Sequence, residues 1–369
     1  MSEDNQGNKH NSVWDNNPIE IKKFIDKVHG LSYVKVYKEI IDTAFSKASK
    51  IQTNDPKQLS ANKINSVSNK AIYEIRNIQK QFDFDFPKYY REIIDEFYPL
   101  DEIAHVFDEL QWLSEYIKTL EKEHLKKLRK INKKKTRNMK EYSRQANTIR
   151  KRFYGRINSL FKSKKENFII LQNYKKFLNS LPLLMPHFTI SIAGYPNVGK
   201  SSFLRNLTGS DSEVAGYAFT TKRVMIGYLN VDEGRTAQII DCPGTLDRKL
   251  EEMNAIERQS IITLRSATHK LIFMIDPTYE VKKQINLMNY INNNIREVNY
   301  LFLNKIDLLD KEVVDDVEEL VLSNSSLNER DVFKMSVVEE IGLNEIKKRL
   351  KEDTINYYKN NKKKLYYNR

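Results

Sequence analysis

Two architectures follow one another in this 369-residue sequence: an N-terminal all-α helical bundle, then an α/β domain built on a mostly parallel six-stranded sheet. Three observations predict that order. In the first half, apolar residues recur at helical spacing between turn signals. From His187 onward, short apolar runs alternate with helical segments, the pattern of a parallel sheet covered on both faces. The first of those runs passes straight into a glycine-rich turn and a helix. The pairs Leu181-Pro182 and Met185-Pro186 make a stiff connector. The divisions are therefore 1–17 for a disordered lead, 18–184 for the helical domain, 185–350 for the α/β domain and 351–369 for a basic tail that extends the last helix and then frays.

Composition narrows the function classes. With 40% apolar and 30% charged residues and no apolar run near the length of a membrane span, the chain reads as soluble and makes no membrane contact. Its start, MSEDNQGNKHNSVWDNN, lacks the basic and apolar blocks of a signal peptide. Cys242 stands alone, so no intrachain disulfide can form, which fits a reducing, cytoplasmic setting. The six histidines lack metal-ligand spacing, and no zinc site is assigned.

The helical elements begin at Ile19 to Val28, Tyr33 to Ser49, Ala61 to Phe82, Pro87 to Phe97 and Ile103 to Leu120, split by Thr53-Asn54-Asp55-Pro56 and Tyr98-Pro99. A long basic helix follows. Tyr142, Ala146, Ile149, Phe153, Ile157 and Leu160 form its apolar seam, and Phe168, Leu171, Tyr174, Leu178 and Leu181 form a second that can pack back on it as a hairpin. Between Lys126 and Lys165 stand 17 Lys and Arg against one acid, Glu141, a local balance of +16 in a chain whose net charge is +13. A helix so poor in acids repels itself unless something anionic faces it. Phosphate backbone is the natural partner, which makes Lys133, Lys134, Lys135, Arg137, Arg144, Arg150, Lys151, Arg152 and Arg156 candidate RNA-binding residues. A merely solvated surface, or a contact with acidic protein, is the competing account.

In the second half the strands run from His187 to Ala193, Val224 to Asn230, Ala237 to Asp241, Leu271 to Asp276, Tyr300 to Lys305 and Val332 to Ser336. Helices fit at Lys200 to Leu207, Leu250 to Ser266, Val281 to Ile295, Asp310 to Ser323 and Leu343 to Leu350. The turn after the first strand, Gly194-Tyr195-Pro196-Asn197-Val198-Gly199-Lys200-Ser201, with Ser202 after it, fits G-x-x-x-x-G-K-[ST] in the strand-turn-helix context that this phosphate-cradling P-loop needs. Backbone N–H groups and the helix dipole meet the phosphates there. Lys200 reaches the β- and γ-phosphates, and the Ser201 hydroxyl is a Mg²⁺ ligand.

Each later strand ends where a guanine-nucleotide site needs it. Asp241-Cys242-Pro243-Gly244 ends the third strand, with Asp241 able to hold the Mg²⁺ shell and the Gly244 amide able to meet a γ-phosphate. Asn304-Lys305-Ile306-Asp307 ends the fifth. Asp307 can accept from guanine N1–H and the exocyclic amine, groups that adenine does not offer there, while Asn304 can contact the base edge and the Lys305 stem can pack on the ring. Ser336 and Val337 open the last loop, where a backbone N–H can meet the guanine carbonyl. Thr221, with Thr220 beside it, can add oxygens to Mg²⁺ when a γ-phosphate is present, giving an order-disorder switch. The second domain is thus a P-loop GTPase (G) domain binding GTP or GDP with Mg²⁺.

Taken together, GYPNVGKSSF, YAFTTK, DCPGTLDR with LEEMNAIERQSI, and NKID resemble the Obg-like GTPases, specifically the nucleolar GTP-binding protein 1 family. The run from Arg150 to Pro182 resembles that family's helical lead-in, so the likeness covers roughly Tyr142 to Leu350, the first hundred residues matching in helical character alone. The resemblance implies GTP binding, slow hydrolysis, and a role in maturing the large ribosomal subunit through its precursor's RNA and proteins, with the chain a monomer away from the ribosome. Three departures stand out. Cys242 replaces the Thr usual in relatives, Thr245 stands where relatives carry an apolar residue and other GTPases a water-orienting Gln, and the long eukaryotic C-terminal extension is missing, as in a compact archaeal form. With no Gln after Gly244, no catalytic side chain is named. In related GTPases an Asn at the position of Asn197 helps bind K⁺; an Asn that merely tolerates a tight turn is the equal alternative. Two other functions compete with subunit assembly: regulation of translation on mature ribosomes, and a structural RNA-binding role in which GTP is held without turnover.

Overall fold

The computed structural model describes residues 18–181, 184–209, 213–216, 223–232, 234–242 and 253–361. They form two compact units. One comprises the described residues up to Asp26, Phe86–Ile93 and those from Ser180 onward; the other is Lys27–Asp85 and Ile94–Asn179. Helices α1 (Pro18–His29), α2 (Tyr37–Ser49), α3 (Pro56–Gln81), α4 (Lys88–Phe97), α5 (Leu100–Arg129), α6 (Met139–Ser163) and α7 (Lys165–Ser180) precede the sheet.

In the helical unit, α3 starts five residues before the expected Ala61. Asp55 is its N-cap, accepting from the Gln58 amide at 2.9 Å, and Pro56 takes the first helical position, where a missing N–H costs nothing. The expected turn signal is thus the helix start itself. On α6, Tyr142, Ala146, Phe153 and Ile157 are buried as the seam requires, but Phe161, not Leu160, continues it, and Ile149 is half-buried. From Ile157 a step of three reaches Leu160 and a step of four reaches Phe161; both lie on the same face of a helix, so spacing alone does not choose between them. The expected hairpin does not form. One residue, Lys164, links α6 to α7, too short a connection to reverse a helix, and the two meet at their joint, where Phe161 and Phe168 stack at 5.9 Å. Helix α6 packs instead on α2, α3 and α5, while Tyr174 and Phe177 of α7 pack against Phe82, Phe97 and Tyr98.

The other unit holds strands β1 (Phe188–Gly194), β2 (Glu213–Gly216), β3 (Arg223–Asp232), β4 (Arg235–Asp241), β5 (Lys270–Ile275), β6 (Tyr300–Leu303) and β7 (Val332–Lys334) in the order β2-β3-β4-β1-β5-β6-β7. All six expected strands are present. The short β2 is an additional edge strand, antiparallel to β3, too brief to stand out as a period-two run in the sequence. β3 is antiparallel to β4, and the other pairs are parallel. Helices α8 (Lys200–Thr208), α9 (Ala255–Ser266), α10 (Val281–Asn294), α11 (Lys311–Ser323) and α12 (Leu343–Asn360) cover it. Phe203, Leu204 and Leu207 of α8 and Ile346 and Leu350 of α12 share one core with Ile190, Ile192 and Ile239 of the sheet. Helix α9 starts at Ala255 because Asn254 and Glu257 exchange backbone bonds at 2.9 and 3.1 Å, a capping box; Leu250 to Glu252, expected to be helical, lie outside the described residues.

This unit also includes three stretches from within 18–184: up to Asp26, Phe86–Ile93 and from Ser180 onward. Phe24 packs on Tyr90 at 4.4 Å, the Tyr90 hydroxyl accepts from the Leu184 amide at 2.7 Å, and the Tyr89 hydroxyl meets Thr263 of α9 at 3.3 Å. β1 lies between β4 and β5, so the chain leaves β1, β4, β5 and β6 at one end of the sheet, where ligands of such sheets bind.

Candidate nucleotide site

The turn between β1 and α8 is shaped by its glycines. Gly194 and Gly199 have φ of 149° and 102°, and a Cβ on them would lie 2.4 Å from the Met274 carbonyl oxygen and 2.2 Å from Asn304 Nδ2. Neither position can carry a side chain without moving β5 or the end of β6. Asn197 has φ 65°, a left-handed conformation that Asn tolerates, and it is exposed with Pro196, while Tyr195 is half-buried. That geometry accounts for an Asn on backbone grounds alone.

Lys200 is buried and its ammonium donates to the Gly194 and Tyr195 carbonyls at 3.0 and 2.7 Å, curling back under the turn. Burial lowers its pKa, against the pull of Asp241. Ser201 Oγ donates to Asp241 Oδ2, and Asp241 Oδ1 is buried with no hydrogen-bond partner among the described residues. Burial raises the Asp241 pKa, opposed by the Ser201 hydroxyl and the Lys200 charge. A buried carboxylate oxygen without a donor, beside a serine hydroxyl, is a set of hard oxygens that fits a magnesium ion. Cys242 follows, buried, its amide held by the Ile192 carbonyl at 3.0 Å and its thiol pushed up to about 12 by burial. This thiol is structural. Thr220, Thr221, Gly244 and Thr245 lie outside the described residues.

At the end of β6, Asn304 is buried and uses both ends of its amide within the chain: Nδ2 donates to the Val198 carbonyl at 2.8 Å, and Oδ1 accepts from the Val337 amide at 3.2 Å. It ties the glycine-rich turn to the last loop. Lys305, in a left-handed conformation at φ 66°, donates to Asp276 Oδ2 at 2.6 Å. Asp307 is exposed in the turn that follows, with no protein partner among the described residues, the state a base-reading carboxylate requires. Ser336 and Ile341 exchange backbone bonds at 3.1 and 3.0 Å, closing the last loop, and Ser336 Oγ accepts from the Glu339 amide.

Two residues of this site escape a reading of the sequence. Asp276 ends β5; burial penalises its charge, but Lys305 and the hydroxyl and amide of Thr278 outweigh that and hold the carboxyl below its ordinary range. Gln284 of α10 clamps the same bend, accepting from the Asp276 amide at 3.0 Å and donating to the Asp276 carbonyl at 2.8 Å. Asp276-Pro277 at a strand end was the available signal.

Two family models match the chain: a 50S ribosome-binding GTPase over residues 189–305, and the NOG1 N-terminal helical domain over residues 29–184. A Methanocaldococcus jannaschii protein is 34% identical over 247 residues, 64% of this chain and 67% of its own length. The chain belongs to the nucleolar GTP-binding protein 1 family. The Drosophila melanogaster member is 33% identical over 57% of this chain and the Dictyostelium discoideum one 29% over 78%. The chain spans only 33% and 44% of those two relatives. The helical model begins at residue 29, so the family likeness extends far N-terminal of Tyr142, where the residue-by-residue resemblance starts. The matched GTPase domain implies guanine-nucleotide binding, and the glycine turn, Lys200, Ser201, Asp241 and Asn304 are joined in one cluster by their own hydrogen bonds.

The basic candidates sit in the other unit. Lys133, Lys134 and Lys135 form a short 3-10 turn, with Arg137 just after it. Arg144, Lys151, Arg152 and Arg156 are exposed on α6 and Arg150 is half-buried; Arg156 pairs with Glu123 at 3.5 Å.

Proposed function

We propose that this member of the nucleolar GTP-binding protein 1 family is a slow GTPase acting as a switch in maturation of the large ribosomal subunit, its basic helical unit contacting ribosomal RNA. The supporting observation is the pairing of Ser201 with an Asp241 whose second oxygen is buried without a partner among the described residues, in a chain whose family matches fall in both units. Mg²⁺, held by Ser201 with Thr221 and the Asp241 shell, would screen the charge of the β- and γ-phosphates. Lys200 exchanges its carbonyl partners for phosphate oxygens, Asp307 reads the guanine edge, and Asn304 keeps the two halves of the pocket in register. Thr221 and the Gly244 amide carry the γ-phosphate's presence into their own segments, which hydrolysis releases.

In this reading turnover by the free chain is slow, on the order of 10⁻⁴ to 10⁻² s⁻¹, as for switch GTPases lacking a supplied catalytic group. K⁺ beside Asn197 would raise it by replacing the charge of such a group. The chain acts in the cytoplasm as a monomer that joins large-subunit precursors, meeting their RNA and proteins. The test is GTP and ATP turnover in KCl and NaCl, with and without immature and mature large subunits, combined with sedimentation. GTP-selective turnover raised by immature particles supports the proposal. Stimulation by mature ribosomes alone would make the chain a translation regulator, and tight GTP binding with no turnover anywhere would make it a structural RNA-binding factor.

A further inference from the structure

A groove of about 420 Å³ lies beside the first half of α6, lined by Ile131, Arg144, Gln145, Thr148, Ile149 and Arg152, with Glu141 at one end. Ile131 is buried and Ile149 half-buried, so the floor is apolar. Arg144 and Arg152 stand eight residues apart on one helix, about 12 Å along its axis, and neither meets a carboxylate among the described residues. The one acid present is already engaged: Glu141 accepts from the Arg137 amide at 2.8 Å and from Gln145 Nε2 at 3.4 Å, finishing the turn that enters α6. Thr148 donates its hydroxyl hydrogen to the Arg144 carbonyl at 2.8 Å, which leaves its oxygen lone pairs outward. Lys133 and Lys134 are exposed nearby in sequence and Lys57 pins the turn itself, donating to the Arg129 and Ile131 carbonyls at 3.1 and 3.0 Å.

We propose that this groove is a single-nucleotide pocket, taking one base turned out of an RNA helix while Arg144 and Arg152 hold the phosphates on either side of it. The proposal rests on the reading of the helical unit as an RNA-binding surface and adds what it recognises. A flat, partly apolar base fits a floor of Ile131 and Ile149, and the carbonyl oxygen of Gln145, which has no donor among the described residues, offers an acceptor to its edge. Guanidinium groups suit phosphate oxygens at both ends, and the volume is within the range of small-ligand sites. An acidic peptide would satisfy the two arginines but would leave the apolar floor and Gln145 without a role. An uninterrupted RNA duplex would touch the arginines and leave the groove empty.

The experiment compares binding of the full chain to an RNA hairpin carrying a one-nucleotide bulge and to the same hairpin without it, at fixed salt. The bulged hairpin is expected to bind roughly tenfold tighter. Arg144→Ala with Arg152→Ala, and separately Gln145→Leu, should remove that advantage, whereas Lys133→Ala with Lys134→Ala should weaken both hairpins equally. All five positions are exposed, so the variants should fold; matching thermal melts verify this. Equal binding of the two hairpins by the unaltered chain, or an advantage that survives both groove variants, would overturn the pocket and leave the RNA reading standing. Failure to bind either hairpin would overturn both.

Discussion

The amide nitrogen of Asn304 lies 2.8 Å from the carbonyl oxygen of Val198, joining the strand end that leads to Asp307, the proposed base reader, to the glycine turn that leads to Lys200, the proposed phosphate ligand. Both partners are buried, so water cannot take over the bond if it is broken. A buried acceptor left without a donor costs about 1 to 3 kcal/mol, and here the Val337 amide would lose its partner as well. Asn304→Ala should therefore lower stability by about 2 kcal/mol in chemical denaturation and weaken GTP and GDP alike, because the pocket's two halves lose their register. A loss confined to one nucleotide, with stability unchanged, would show that the residue acts on the ligand alone.

Asp241 predicts a coupled dependence on magnesium and pH. Its pKa is raised in the fold by burial, so as pH falls through that raised value a proton occupies the carboxylate that the proposed Mg²⁺ site needs. Magnesium-dependent tightening of GTP binding should thus weaken on acidification, at a pH above that of an ordinary Asp. Asp241→Asn should abolish the magnesium effect and flatten this pH dependence, read by titrating nucleotide with and without the metal. Ser201→Ala should reduce the magnesium effect while preserving its pH profile.

How much of this was legible in the residues differs by element. The glycine turn, Asp241 and the Asn304-to-Asp307 run could be read because each places a chemically specific group directly after an apolar run, and position in the sheet then follows from alternation. Asp276 and Gln284 could not, since Gln284 looks like any polar residue on an amphipathic helix until the fold brings it to the end of β5. The bundle was read coarsely for a related reason. Helical periodicity shows that Tyr142 and Phe153 face a core but not which core, so the choice of α2, α3 and α5 over α7 was decided by the one-residue link at Lys164, a length effect that periodicity does not encode. The stretches before Asp26 and around Tyr89 and Tyr90 carry no sequence mark of belonging with the sheet.

His269 gives the sheet unit an acid-sensitive point. It is half-buried overall but its ring lies between β1 and α12, with Nδ1 accepting from the Thr189 amide at 2.9 Å and the rings of Phe188 and Tyr357 against it, and its pKa is lowered from 6.5 to about 3, first by burial and then by Arg296. Between those two values the unfolded chain binds a proton that the folded chain does not, so stability rises with pH there by up to ~1.4 kcal/mol per unit and levels off above 6.5. Denaturant titrations across that range should show this slope. In His269→Asn, whose side chain can still accept a backbone bond but does not titrate, the slope should shrink by that one proton; an unchanged slope would place the sensitivity elsewhere.

The exposed cations of α6 should determine how RNA binding responds to salt. Arg144, Lys151 and Arg152 have no acidic partner among the described residues, whereas Arg156 shares Glu123 with Lys127. Removing one cation that meets a phosphate should lower the steepness of log affinity against log salt by roughly 0.7 to 0.9. Replacing Arg150, Lys151, Arg152 and Arg156 together by Ala should weaken RNA binding and flatten its salt dependence while leaving GTP affinity unchanged. Arg156→Ala by itself should contribute least, since its charge is already partly spent on Glu123. If the fourfold variant keeps the original salt slope, the basic face is solvated surface and the RNA-binding surface must be sought on other residues.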